Sequence, residues 1–207
     1  MIDSMLFLAR TEQANATINR ETLELHKLVA QLCEYFEGMA QECSIELINQ
    51  ASGTLIADPH LLRRALANLL ANALRYGSAD SVVTISSAIR EGACEISVHN
   101  CGEPIAAEHL PRLFERFYRC DPSRNQPDDS GGLGLAIVRS IMQAHGGQVS
   151  VDSTAAGTMG RRPTDTSKPT PRSSSQRTAP VAASSPQALP PASTMACTLS
   201  TRFDGSS

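Results

Sequence analysis

Residues 58–77 read DPHLLRRALANLLANALRYG, and the demands of that stretch set the fold. Asp58 and Pro59 open a helix. The Asp58 carboxylate accepts from first-turn N–H groups that lack intrahelical partners, and Pro59 has no N–H to lose at that position. Gly77 ends it. Leu62, Leu66, Leu69, Leu70 and Ala73 recur at helical spacing and form a face to bury. Asn68, Asn72, Arg75 and Tyr76 fall on a second, polar stripe. Asparagine is a poor helix former, so two of them one turn apart need a local reason. A solvated face is the ordinary reason. The chemical one is a phosphate-bearing ligand. A neutral amide oxygen suits a Mg²⁺ ion that draws most of its shell from phosphate and water. Arg75 offsets phosphate charge and Tyr76 covers a base.

Two later segments suit the same ligand. The strand expected at Cys94–His99 runs into Asn100-Cys101-Gly102-Glu103-Pro104-Ile105. The Asn100 carboxamide can accept from an exocyclic amine or donate to a base, and Gly102 lets backbone approach a flat ligand closely. Alone, Asn-x-Gly is a common turn. Gly131, Gly132 and Gly134, with Leu133 among them and Leu135 following, open a helix expected over Leu133–His145. Free N–H groups and the helix dipole then favour an anion in the loop, although a lone glycine-rich loop is only a flexible connector.

Working outward, residues 1–13 form an amphipathic helix with Ile2, Met5, Leu6 and Ala9 at helical spacing, too short to be stable without a partner helix. We expect that partner to lie outside the chain. A second helix covers Leu25–Cys43, and strands cover Ser44–Asn49, Thr54–Ala57, and a hairpin of Val82–Ile89 with Cys94–His99. A short helix is expected at Glu108–Phe117, a polar lid at Asp121–Gly132, and a strand at Gln148–Asp152. His145, at a helix end beside Gly146, takes a structural role next to the dipole.

The chain has 207 residues, 41% hydrophobic and 19% charged, with a net charge of −3. Residues 159–207 hold seven of the 12 prolines and carry six Lys/Arg against two Asp/Glu, net +4, which leaves −7 on residues 1–158. An acidic body argues against non-specific nucleic-acid binding. The tail lacks periodic apolar residues to offset its ordering entropy and reads as disordered. Six cysteines without Cys-x-x-Cys spacing read as reduced thiols rather than a metal site. No apolar run reaches the ~18 residues that span a bilayer, so the chain as given is expected to be cytoplasmic.

Together the three segments resemble the ATP-binding catalytic domain of bacterial sensor histidine kinases. NLLANALRY (68–76) is similar to the family's N box, residues 100–105 to its G1 box, FERFYR (114–119) to its F box, and Gly131–Leu135 with the following AIVRSIMQAHGG to its G2 box. Residues 1–13 are similar to the second helix of the phosphoacceptor dimerisation domain. HLPRLFERFYRCDPSR resembles the heavy-metal (copper and silver) sensor subgroup.

The resemblance implies a two-layer α/β sandwich of the histidine kinase/gyrase type, a mixed sheet with helices on one face. It implies domains at 1–13 (end of the dimerisation helix), 20–158 (catalytic domain) and 159–207 (disordered tail). It implies an ATP site of Asn68, Asn72, Arg75, Tyr76, Asn100, Gly102, Ile105, Phe117, Tyr118, Gly131, Gly132, Leu133, Gly134, Leu135 and Thr158, with Asn72 as the Mg²⁺ ligand. The implied activity is transfer of the ATP γ-phosphate to a histidine in two-component signalling. The implied partners are a phosphoacceptor dimerisation domain and a response regulator, in a homodimeric parent seated in the bacterial inner membrane.

Three departures qualify this. Position 100 is Asn and position 104 Pro where the family has Asp and Gly. No histidine is followed by an acidic residue and Leu-Arg-Thr-Pro, so the chain carries no phosphoacceptor and no catalytic residue of its own. After Gly157-Thr158 the family's last strand is replaced by a Pro/Ser/Thr-rich segment, which we read as a truncation with a frameshifted tail. The alternatives are a gyrase-type ATPase, which would need a Glu at position 68 to activate water, and a non-catalytic nucleotide-binding relic.

Overall fold

The structure, a computed structural model, describes residues 2–11, 18–90, 93–120, 131–154 and 193–202. In chain order the elements are helix α1 (Ile2–Thr11), strand β1 (Glu21–Glu24), helix α2 (Leu25–Glu42), strands β2 (Ile45–Gln50) and β3 (Thr54–Ala57), helix α3 (Pro59–Tyr76), strands β4 (Ser81–Arg90) and β5 (Ala93–Gly102), helix α4 (Gly134–Ala144), and strands β6 (Gln148–Thr154) and β7 (Ser193–Arg202).

Five strands form one mixed sheet in the order β2-β4-β5-β7-β6; β2 and β4 run parallel and every other pair antiparallel. A parallel pair needs a crossover, and β3 with α3 supplies it. β1 pairs with β3 in a separate two-stranded ribbon. Period-two alternation buries Val83 and Ile85 of β4, Cys94, Ile96 and Val98 of β5, and Cys197 and Leu199 of β7 in one core with Leu66 and Leu70 of α3 and Ile141 of α4. On the other side of the sheet the hydroxyls of Ser97 and Thr198 meet at 3.1 Å. This is the expected two-layer sandwich.

Asp58 behaves as the sequence demands. Its carboxylate accepts from the backbone N–H of His60 (3.0 Å), Leu61 (3.1 Å) and Asn19 (3.0 Å). Burial pushes that carboxyl upward, but the N–H groups of Leu61, Asn19 and His60 outweigh it and hold it below the ordinary range. The Asp58 N–H in turn donates to His145 Nε2 at 3.0 Å, while His145 Nδ1 lies 2.8 Å from the Ile141 carbonyl oxygen. A backbone N–H only donates and a carbonyl only accepts, so these partners fix the neutral imidazole with its proton on Nδ1. His145 is thus structural as expected, but as a neutral clamp between the start of α3 and the end of α4. Gly146, at φ 73°, then ends α4 in the left-handed cap.

Several expectations are corrected. The tail was expected to be strandless over 159–207, yet Ser193–Arg202 forms β7, which supplies the strand thought to be missing between β5 and β6. The remaining tail, with Thr158, lies outside the described residues, as do 121–130 of the expected lid. Helix α1 finds a partner within the chain: it packs on α4 and buries Leu8, and the Arg64 guanidinium lies 3.9 Å over the Phe7 ring. Met5 and Leu6 of its expected apolar face are exposed. The helix at 108–117 shrinks to one 3-10 turn, Leu110–Arg112, and the left-handed Phe117, at φ 62°, ends any continuation of it. Strand β5 runs on to Gly102, and β1 was not anticipated.

Candidate functional site

Two glycines bring the end of α3 against the end of β5. A Cβ at Gly102 would stand 2.4 Å from the Tyr76 carbonyl oxygen, and one at Gly77 would stand 2.6 Å from the Ala73 carbonyl oxygen. No side chain fits at those separations. Gly77 and Gly102 form a bridge, and the Ser78 N–H donates to the Cys101 carbonyl at 2.7 Å. Gly77 lies at φ −68°, so close packing rather than a left-handed cap requires glycine there. Gly102 likewise serves approach to α3 and is not among the residues around the cavity.

The joint sets Asn72, Arg75 and Tyr76 beside Asn100, and a cavity of about 590 Å³ opens between them. Ile105, Tyr118, Gly132, Gly134 and Leu135 from the expected set also line it. Asn68, Phe117, Gly131 and Leu133 do not. The Asn68 Nδ2 donates to the Arg64 carbonyl at 2.8 Å. Leu133 is buried in the core. Phe117 is 55% exposed, and its N–H donates to the Gly132 carbonyl at 3.0 Å. Gly132, at φ 72°, is held so close to that backbone that a Cβ would meet the Tyr118 carbonyl oxygen at 2.9 Å.

Two carboxamides stand out electrostatically. Asn100 is in phase with the buried Cys94, Ile96 and Val98 on β5, is 4% exposed, and faces the cavity. Among the described residues no group hydrogen-bonds its side chain. Burying such an amide unpaired costs about 1–3 kcal/mol, a cost that a hydrogen-bonding group in the cavity would offset. Asn72, half-buried at the helical wall, has no side-chain partner among the described residues either. No cluster of three or more His, Cys, Asp or Glu suits a metal ion among the described residues. A cation here would rest on a neutral amide oxygen, on phosphate and on water, which is how Mg²⁺ is usually held.

Sequence reasoning missed part of the lining: Ser78, Ala106, His109, Leu113, Arg119 and Cys120. His109 Nδ1 and the Tyr118 hydroxyl meet at 2.6 Å, and the Arg112 guanidinium sits 4.2 Å over the Tyr118 ring, which braces that wall. The signal was the FERFYR segment itself, whose Tyr118 needs polar and cationic neighbours to be held. Cys120 is exposed at the rim, and partial burial raises its thiol above the ordinary range.

The chain is similar to known proteins. The family described as histidine kinase-, DNA gyrase B- and HSP90-like ATPase matches residues 57–169. The sensor histidine kinase CusS of Escherichia coli (strain K12) is 43% identical over 159 residues, 76% of this chain and 33% of that protein. The sensor protein CzcS of Cupriavidus metallidurans is 40% identical over 153 residues, 74% of this chain and 32% of that protein. The chain therefore spans about a third of the length of the curated relatives it matches. In fold it is similar to the Acinetobacter baumannii histidine kinase AdeS, with a TM-score of 0.67 at 19% identity, covering 99% of this chain and 77% of that one. Full-length ShkA in complex with AMPPNP gives a TM-score of 0.68 at 23% identity, covering 98% of this chain and 35% of that one. By the matched residues and the fold, the chain belongs to the histidine kinase-, DNA gyrase B- and HSP90-like ATPases, as an ATP-binding domain of the sensor histidine kinase kind.

Proposed function

We propose that this domain binds Mg-ATP in the cavity between α3 and β5 and presents the γ-phosphate to a histidine on a separate phosphoacceptor domain. The observation that carries the reading is the pair of unpartnered carboxamides, Asn72 on α3 and Asn100 on β5, bordering one cavity. Asn100 reads the base. Ile105 and Leu135 pack on it. Asn72 holds the metal ion through its amide oxygen, and Arg75 lies near the phosphates. Mg²⁺, when bound, neutralises phosphate charge. Gly132 and Gly134, at the start of α4, aim free N–H groups and the helix dipole at the phosphates.

The γ-phosphoryl group would leave the β-phosphate oxygen of ADP for a ring nitrogen of the acceptor histidine. The domain contributes position and charge rather than a base. Asn68 supports transfer over hydrolysis. A carboxamide cannot abstract a proton, and its amide is bonded to the Arg64 carbonyl. We extend the proposal, on the family resemblance, to a dimerisation domain, a response regulator, a membrane-bound homodimeric parent and a copper- or silver-sensing subgroup.

Calorimetry with ATP and Mg²⁺ tests the binding, with Asn72→Ala alongside. Saturable Mg²⁺-dependent binding that weakens about tenfold or more in the variant is expected, for loss of a contact worth ~1.5–3 kcal/mol. Adding a sensor-kinase acceptor domain with labelled ATP then tests transfer. Bound ATP without phosphohistidine would reduce the proposal to nucleotide binding.

A further inference from the structure

The nucleotide reading leaves open which base the site takes, and the state of Asn100 bears on that. Its carboxamide is 96% buried, lies on the core face of β5, borders the cavity, and has no hydrogen-bond partner among the described residues. Two other asparagines, Asn49 and Asn68, are locked. Asn49 Nδ2 donates to the His26 carbonyl while its Oδ1 accepts from Ala51 N–H, and Asn68 Nδ2 donates to the Arg64 carbonyl. Each of those amides has one orientation in which its bonds form. Nothing described holds Asn100 to either.

A carboxamide carries a donor and an acceptor side by side. A 6-aminopurine presents an amino donor next to the N1 acceptor. A 6-oxopurine presents an oxygen acceptor next to the N1–H donor. The carboxamide matches the first pair in one orientation and the second after a half-turn about its terminal torsion, whose rotation is broad and roughly two-fold. A carboxylate at the same place could only accept, and would face the 6-oxo group with like polarity. The apolar neighbours Ile105 and Leu135 contact either ring equally.

We propose that Asn100 makes the base subsite permissive, so that it takes 6-oxopurine nucleoside triphosphates as well as ATP. The inference rests on the nucleotide site proposed above. Inosine triphosphate is the probe, because it changes the purine 6-position without adding a 2-amino group. Calorimetry of the full chain with Mg²⁺ should give inosine triphosphate and ATP dissociation constants within about tenfold of each other, since one orientation of the carboxamide pairs with each base. In Asn100→Asp, inosine triphosphate should fall at least tenfold further behind ATP, with retained ATP binding reporting that the variant is folded.

Wild-type binding of ATP with inosine triphosphate more than tenfold weaker overturns this inference and leaves the ATP site standing. Binding of neither nucleotide to folded protein overturns both. Unchanged discrimination in a folded Asn100→Asp variant overturns the role given to Asn100. The wild-type comparison decides permissiveness even if the variant does not fold.

Discussion

The two walls of the cavity are built by opposite means. On one side, α3 meets β5 through regular elements, two side-chain-free contacts and a buried cap at the far end of the helix. On the other, the chain from Glu103 to Cys120 contains one 3-10 turn and a left-handed Phe117, and is tied to the glycine loop by a backbone bond from Phe117 to Gly132. The first wall carries Asn72 and Asn100, which must be placed to a fraction of an ångström to read a ligand. The second carries Tyr118, Arg119 and Cys120, which border the opening. A regular wall fixes polar groups, and an irregular wall can adjust to what they hold.

Four measurements would break or sharpen that contrast. Gly102→Ala should do the most. Its Cβ has no room against the Tyr76 carbonyl, and prising α3 from β5 should cost about 3 kcal/mol, read as a lower denaturation midpoint together with weakened ATP binding. Next is Asp58→Ala, at the other end of the same helix, with an expected loss of about 2 kcal/mol from the cap. The Asp58 carboxyl is held below its ordinary range. Its contribution is therefore full above the unfolded carboxylate pKa and is lost as pH falls through the lower folded value. Acid titration of stability should show this loss in the parent and lack it in Asp58→Ala; identical acid curves would remove Asp58 from the account.

The irregular wall should respond more mildly. Cys120 borders the cavity, so saturating Mg-ATP should slow its alkylation by roughly tenfold, as expected where bound ligand blocks access and the site is rarely open. Buried Cys197, whose thiol is pushed up to about 12 by burial and by Asp152, should not react in either state. Labelling of Cys120 that ignores nucleotide would mean the wall stays open when the site is filled. Phe117→Asn should have the smallest effect. Asparagine tolerates a left-handed backbone better, so relief of about 1 kcal/mol is expected from the ~1–2 kcal/mol strain, seen as a slightly raised Tm.

The contrast also explains what could be read from the chain. Helix α3 was legible because its cap, apolar face and polar stripe all lie within one 20-residue window. So were Asn72 and Asn100, each fixed by phase, one on a helix and one on a strand. The irregular wall was not, because no local pattern announces the left-handed Phe117 that breaks it. Gly102 was visible but was assigned to ligand approach, because its true neighbour, the Tyr76 carbonyl, is brought in only by the tertiary fold. Strand β7 did carry a signal: Met195, Cys197 and Leu199 alternate with Thr194, Ala196 and Thr198. The Pro/Ser/Thr-rich composition around it masked that alternation. Strand β1, Glu-Thr-Leu-Glu, offers one apolar residue and no pattern to find.

Among the described residues strand β6 pairs with the sheet only through β7, and residues 155–192 must be made between them. At ~5–20 residues per second on the ribosome, a nascent chain holds β6 without its neighbour for roughly 2–10 s, with one long edge of β5 unpaired throughout. Such an edge is a template for any other extended chain nearby. The yield of active protein should therefore depend on how fast the stretch from 155 to 202 is translated, and on whether a chaperone covers β5 in the meantime.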